Sequence, residues 1–313
     1  MTIDQTTYLV FGIVVIISLI FDLGVFSKKS TNVSIRTALY QSLFWVLISL
    51  AFGAFMWWME GEKAAMEYLA AYLMEKSLSI DNIFVFILIF SFFAIRKDHV
   101  ARALFIGIIL AIVFRIIFIA AGVVLVERFH WILYVFGAFL VYTGVKIFMV
   151  RQEDEFDPAK SPVYKFLNRF LPIIHHDVGG KLMVKKDGKR FFTNMFVVII
   201  MLATTDIVFA VDSIPAVFAI VTESKNKELV IYTSNIFAVL GLRALFFLLQ
   251  GAVNKFQYLQ QGIAIVLIFI GLKMFVEIFH IKVPVVVSLL FIATSLIGSI
   301  FYSVRISAQN LKD

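Results

Sequence analysis

Long, nearly unbroken apolar runs alternate with short polar connections along the whole sequence, and this pattern constrains the fold more than any other feature. A helix needs about twenty apolar residues to cross a bilayer. Of the 313 residues 61% are apolar, more than a soluble domain can bury. The sequence therefore predicts an all-α, polytopic membrane protein with about nine transmembrane helices, at residues 8–26, 39–58, 67–95, 101–125, 131–150, 194–221, 232–251, 258–279 and 283–304.

The distribution of Lys and Arg predicts how these helices cross the membrane. Of the 28 basic residues, 18 fall on one set of alternate connections and five on the other, while five lie within spans. The positive-inside rule then places the N-terminus outside and the C-terminus in the cytoplasm. The net charge of +7 thus reflects topology, and we do not expect nucleic acid as a partner.

Residues 151–193 are the one long polar segment, and they separate five predicted spans in residues 1–150 from four in residues 194–313. They contain nine of the 28 Lys and Arg residues, so this segment is predicted to be cytoplasmic. Its Pro, Gly and scattered charges indicate a linker of loops and short surface helices.

Two spans carry the same polar motif, in which an acid is followed six residues later by a second acid and then by a small polar residue. The third span contains Glu75, Asp81 and Asn82, and the sixth contains Asp206, Asp212 and Ser213. The register continues into the following spans, where two further positions match: Arg115 with Arg243, and Lys146 with Lys273.

The matched positions predict an internal repeat of three spans in each unit, residues 67–150 (helices 3–5) and 194–279 (helices 6–8). Because three is odd, the second unit enters the membrane from the opposite side. Such inverted-topology repeats are typical of secondary transporters, which bind substrate where the repeats meet.

Acidic side chains inside spans are costly, so they persist with partners or with a function. One hypothesis is that they only neutralise buried bases, and we expect Arg115 and Arg243 to be structural charge partners. The other is that they form an ion site. Five acids lie inside predicted spans at least four residues from either end: Asp22, Glu75, Asp81, Asp206 and Asp212.

The spacing of each motif limits how its two acids can act together. Six residues turn an ideal helix by about 600° and advance it by about 9 Å, so one straight helix cannot aim both acids at one point. We therefore expect the helix to open near the motif, aided by Pro215 in the sixth span and by Ser77, Ser79 and Asn82 in the third.

The candidate ligands are all oxygen donors, which suit hard or borderline cations such as Mn²⁺, Mg²⁺ and Ca²⁺. The sequence has no cysteine, and its five histidines fall in connections or at span ends, which disfavours a nitrogen and sulfur site for Zn²⁺ or Cu. The predicted metal ligands are Glu75, Asp81, Asn82, Asp206, Asp212, Ser213 and Asp22.

The two motifs, together with Asp22 in Phe21-Asp22-Leu23-Gly24, closely resemble those of the TerC family of integral membrane proteins over about residues 8–304. The resemblance implies manganese homeostasis, with Mn²⁺ exported through a bacterial inner membrane. It also implies that Glu75, Asp81, Asp206 and Asp212 are metal or proton sites.

The leading hypothesis is therefore a secondary transporter, not an enzyme, which exports a divalent cation, with Mn²⁺ as the leading candidate, in exchange for protons. Mn²⁺ is then the substrate, no catalytic residue or resident cofactor is expected, and the sequence leaves the oligomeric state open. An exporter of amino acids or other small organic solutes is a second hypothesis, and a membrane scaffold in envelope-stress complexes is a third. ATP-driven export is disfavoured, since the sequence has no Walker motif.

Overall fold

The computed structural model describes residues 3–21, 34–129, 131–149, 158–174, 178–186, 188–250, 258–276, 279, 281 and 283–309. These residues are mostly helical, as predicted. The helices are α1 (Ile3–Phe21), α2 (Ile35–Glu60), α3 (Glu62–Phe92), α4 (Lys97–Arg128), α5 (Ile132–Met149), α6 (Pro162–Phe170), α7 (Asn194–Ile220), α8 (Lys227–Val239), α9 (Leu242–Gln250), α10 (Leu259–Val276) and α11 (Val285–Gln309), with a 3₁₀ turn at Pro158–Lys160 and strands β1 (Ile173–Ile174), β2 (Met183–Lys186) and β3 (Lys189–Thr193).

Within the described residues, six helical segments are long and apolar enough to cross a membrane. They correspond to α2, α4, α5, α7, α8 with α9, and α11, while α1 and α10 contain shorter apolar helices. Helix α3 is 31 residues long, but any eighteen-residue stretch of it carries at least three charged residues. The coarse prediction of a helical membrane protein is confirmed, and the count of nine crossings stays a prediction.

The seventh predicted span, 232–251, is wrong as a single helix, because the structure divides it into α8 and α9. Gly241 between them has φ +83°, a left-handed conformation that favours glycine. A Cβ at Gly241 would lie 2.6 Å from the Cβ of Trp45, so the close packing of α2 also requires glycine here. The Lys76 ammonium donates hydrogen bonds to the carbonyl oxygens of Ala238 and Leu240 at 3.1 and 3.3 Å, and thereby caps the end of α8.

The expected opening of the motif helices is also wrong, since α3 and α7 are continuous. The hydroxyls of Ser77 and Ser79 donate to the carbonyls of Leu73 and Glu75, four residues earlier, at 2.7 and 2.8 Å. This bonding satisfies the hydroxyls within the helix. Pro215 lies inside α7 without ending it, as neighbouring helices in a membrane protein tolerate.

Helices α7, α8 and α9 lie at the centre of the molecule, where most of their surface is buried. The spans in α2, α4, α5 and α11 are mostly uncovered, and their outward residues are large and apolar. Outward apolar surface on peripheral helices is what a bilayer solvates, so this arrangement fits an integral membrane protein.

Helices α5 and α10 pack closely through glycines at matched positions of the predicted repeats. A Cβ at Gly144 would lie 2.8 Å from the Ala264 carbonyl oxygen, and one at Gly271 would lie 2.6 Å from the Gly137 carbonyl oxygen. Small residues allow membrane helices to approach closely in this way.

The segment predicted as loops and short surface helices contains one such helix, α6, but also a three-stranded sheet that the prediction missed. The strand order is β1-β3-β2, with β1 parallel and β2 antiparallel to β3. Lys186 pairs with Lys189, so only Asp187 and Gly188 connect β2 to β3. An Asp-Gly pair between two short strands is a strong hairpin signal in a sequence.

Candidate ion-binding site

A buried arginine brings together the first acids of the two motifs. Arg115 of α4 donates to Asp206 of α7 through Nε and Nη2, at 2.9 and 3.0 Å, and its Nη1 donates to Glu75 of α3. The same Nη1 donates to Oδ1 of Asn235 in α8 at 3.3 Å. Each of these four residues is at most 1% exposed.

This cluster joins helices from both predicted repeats. Its two carboxylates meet one guanidinium, so the described charges of the cluster sum to −1. Removing such charges from water is costly, and the paired geometry offsets much of that cost. The residues that sequence reasoning expected to interact, Arg115 with the motif acids, are thus in direct contact.

Helices α3 and α7 run antiparallel, as contacts at both ends demonstrate. Near the start of α3, the Glu67 carboxylate accepts backbone N–H bonds from residues just beyond the end of α7, including Thr222 at 2.6 Å and Ser224 at 3.0 Å. Near the start of α7, Asn194 donates to the carbonyl oxygen of Phe93, just beyond the end of α3, at 3.3 Å. The two motifs therefore advance in opposite directions.

Three oxygen atoms of the motif residues are buried and have no hydrogen-bond partner among the described residues. They are Oε2 of Glu75, Oδ1 of Asn82 and Oγ of Ser213. A buried polar atom without a partner is uncommon and calls for an explanation, such as an ion or a water molecule that binds to it. All three belong to the predicted metal ligands.

The second acids, Asp81 and Asp212, lie within α3 and α7, but their side chains are outside the described part of the structure. Asp22 lies outside the described residues altogether. Among the side chains that are described, no group of three or more His, Asp or Glu residues is arranged to hold a metal ion. The metal assignments of these three aspartates therefore stay predictions.

A small cavity lies beside Asp206. It has a volume of about 10 Å³, roughly the space for one water, and its lining includes Phe86, Gly107 and Leu202. Helices α3, α4, α7 and α9 all contribute to this lining. Of the eight residues that line this cavity, Asp206 alone is charged.

The other basic residues within predicted spans differ in their surroundings. Arg243 is buried, 4% exposed, near the start of α9. Lys146 is exposed in the last turn of α5. Lys273, at the matched position of α10, is instead 3% exposed and donates to the carbonyl oxygen of Ala219 at 3.0 Å. There it neutralises the carbonyl end of α7.

Sequence reasoning missed two buried polar residues of this region, Glu67 and Asn235. Glu67 is fully buried and also accepts a hydrogen bond from the Ser224 hydroxyl. Glu67 is the first residue of the predicted span 67–95, where an acid is expected to be exposed to water, so its burial was not predicted. Asn235 interrupts an apolar run together with Thr233 and Ser234, and that polar step was the available signal.

Comparison with known proteins identifies the family. The family model described as integral membrane protein TerC family matches residues 60–311. The chain belongs to the TerC family. This membership confirms the resemblance inferred from the two motifs, and the matched range contains both of them.

Curated relatives cover nearly the whole TerC chain. An uncharacterized membrane protein of Myxococcus xanthus is 43% identical over 92% of this chain and 89% of its own length. One from Rickettsia felis is 41% identical over 95% and 97%. The Escherichia coli K12 protein named putative membrane-bound redox modulator Alx is 39% identical over 89% and 88%. No solved structure matches the chain significantly.

Proposed function

We propose that this TerC protein is a secondary transporter which exports a divalent metal cation, with Mn²⁺ as the preferred substrate. The observation that carries the proposal is a set of three buried oxygens, on Glu75 and Asn82 of α3 and on Ser213 of α7, which have no hydrogen-bond partner among the described residues. Oxygen donors of this kind select hard or borderline cations.

Helix packing supports an inverted repeat as the framework of this transporter. The first helix of each predicted unit packs on the second helix of the other, α3 on α8 and α7 on α4. The two first helices pack together, as do the third helices, α5 and α10. A two-fold axis in the membrane plane relates exactly such pairs of contacts, which is the arrangement found in many transporters.

The antiparallel helices support two ligand clusters at different depths. Interpolation between the end contacts at Glu67 and Phe93 places Glu75 level with Ile214 and Asp206 level with Asn82. We infer one cluster of Glu75, Asp212 and Ser213, and a second of Asp206, Asp81 and Asn82. Seven helical residues separate the two backbone levels by about 10 Å. In this arrangement each cluster takes one acid from each helix, so neither straight helix has to aim both of its acids at one point.

Arg115 supplies a positive charge that both proposed clusters share. Its guanidinium contacts Glu75 and Asp206, one acid from each cluster. A divalent cation entering either cluster competes with the guanidinium for the carboxylate. Competition of this kind weakens binding enough for release, which a transporter requires as much as it requires capture.

The charge of the substrate determines the coupling that we propose. Moving one elementary charge against 100 mV costs about 2.3 kcal/mol, so expelling a divalent cation from a negative interior costs about twice as much. Carboxylates that bind either metal or protons provide an exchange, because protonation lowers their affinity for metal. We therefore propose Mn²⁺/H⁺ antiport.

The test is Mn²⁺ flux in proteoliposomes that contain the purified protein. Asp81→Asn and Asp212→Asn should abolish flux while the protein remains folded, whereas Asp98→Asn, which changes an exposed acid of α4, should not. Imposed proton gradients of opposite sign should drive Mn²⁺ in opposite directions. Wild-type flux in either motif variant would exclude that acid from the site, and flux indifferent to the proton gradient at fixed voltage would refute antiport.

One observation favours the scaffold hypothesis as the second candidate. Both carboxylate oxygens of Asp206 accept hydrogen bonds from Arg115, as expected for a structural ion pair. A scaffold needs no ion flux, so a stable, folded protein that moves no Mn²⁺, Mg²⁺ or amino acid in proteoliposomes would support it. A redox role like the one in the name of the Alx relatives could not use thiols of this chain, which has no cysteine.

A further inference from the structure

Helix α6 presents a row of cations beside a row of aromatic rings. Lys165 and Arg169 are four residues apart, as are Phe166 and Phe170, so each pair lies along one side of the helix. Both phenyl rings are exposed, 60% and 63%, with centroids 4.7 Å apart. The opposite side of α6 carries Leu167, which is buried in the protein.

Contacts with α3 fix α6 at the end of a membrane helix. The ring of Tyr164 packs edge-on against Phe92 and Phe93, at centroid distances of 6.0 and 5.4 Å. Phe92 is the last residue of α3 and is itself 45% exposed. The exposed rings of α6 therefore lie near the level at which α3 leaves the apolar layer.

Further contacts fix the neighbouring sheet at the same level. Arg102, in the first turns of α4, donates to the carbonyl oxygen of Gly180 at 3.3 Å. Strand β3 continues directly into α7, the next membrane helix. Helix α6 and the sheet, in the described residues 158–174, 178–186 and 188–193, thus form a layer across the ends of three membrane helices.

This layer is strongly basic. Residues 158–193 contain eight Lys and Arg residues and two Asp residues, a net charge of +6. Besides Lys165 and Arg169, the exposed cations include Lys181, Lys185, Lys189 and Arg190. Basic residues beside exposed aromatic side chains are typical of helices that lie in the headgroup region of a membrane.

We propose that α6 binds the anionic phospholipids of the membrane that the protein spans. Phe166 and Phe170 enter the boundary between headgroups and acyl chains, and Lys165 and Arg169 contact the phosphates. The acidic headgroups complement the charge of the layer, and two exposed phenyl rings match the apolar boundary. This proposal does not depend on what the protein transports.

Nitroxide labelling of the full chain tests this proposal, and the absence of cysteine makes single-cysteine variants straightforward. Phe170→Cys and Asn168→Cys are labelled in nanodiscs of phosphatidylcholine alone or mixed equally with phosphatidylglycerol. The label at position 170 should become more accessible to oxygen and less accessible to a water-soluble nickel reagent when phosphatidylglycerol is present. The label at 168, on another side of the helix, should change little.

Charge variants in the Phe170→Cys background identify the lipid contact. Lys165→Gln with Arg169→Gln should remove the shift caused by phosphatidylglycerol. Lys225→Gln with Lys227→Gln removes the same charge from exposed positions on another connection and should preserve it.

Three results would overturn the proposal. They are equal accessibility of the label at 170 in both bilayers, the same shift produced by inorganic phosphate with phosphatidylcholine nanodiscs, and a shift that requires two copies of the chain in one nanodisc. The second result would identify a free anion as the ligand, and the third would identify a second copy.

Discussion

Replacing Arg115 by Gln should destabilise the protein strongly, because the substitution leaves two buried carboxylates without their counter-ion. Arg115 makes two hydrogen bonds to Asp206 and one each to Glu75 and Asn235, and all four residues are fully buried. Removing one partner of a buried ion pair costs about 3–5 kcal/mol.

Unfolding by SDS in mixed micelles, followed by circular dichroism, measures this loss. Arg128→Gln is the matched control, because Arg128 is exposed at the end of the same helix. The double variant Arg115→Gln with Asp206→Asn should recover part of the stability, since one unpaired charge is removed. Stability equal to that of the control would refute the reasoning. A stable variant with altered metal preference would instead place Arg115 in the permeation path.

Three further predictions concern helix ends and contacts. Glu67→Gln should lower the free energy of unfolding by about 3 kcal/mol in the same titration, because an amide cannot accept the loop N–H bonds as the buried carboxylate does. Gly144→Ala should cost about 1–3 kcal/mol by overpacking α5 against α10, whereas Gly298→Ala, with no atom within 4 Å of its Cβ, should be neutral. The hydrogen bond between Lys63 and Glu223 lowers the pKa of Glu223 and raises that of Lys63, so their pairing stabilises above the pKa of the acid and below that of the base. Lys63→Gln should therefore lower Tm slightly at pH 7, and this difference should vanish as the pH falls through the pKa of Glu223; an unchanged difference in acid would contradict the assignment.

The sequence predicts the helices of this protein better than it predicts how they meet. Apolar runs report the length of a membrane crossing directly, so most spans are recovered. The break at Gly241 escapes prediction because Leu240 and Leu242 continue the apolar run on both sides. Trp45 of α2 packs closely against Gly241 at this break, and a contact between helices so distant in sequence leaves no local signal.

The candidate site shows the same division. The repeated spacing of acids identifies Glu75 and Asp206 as related positions, and it needs no knowledge of the fold. Both acids meet at Arg115, which lies 91 residues before Asp206 in the sequence. This meeting depends on how the helices pack, which the repeated spacing does not report. Asn235 joins them for the same reason and carries no repeat signal of its own.

The placement of Arg115 also bears on how the protein is made. Arg115 and Glu75 are synthesised in the first half of the chain, whereas Asp206 and Asn235 emerge only after the long basic segment. Until then the guanidinium has Glu75 as its acidic partner within this cluster, and Asp206 has to enter the bilayer before it can pair. We therefore expect assembly with the first half of the chain to complete the membrane insertion of α7.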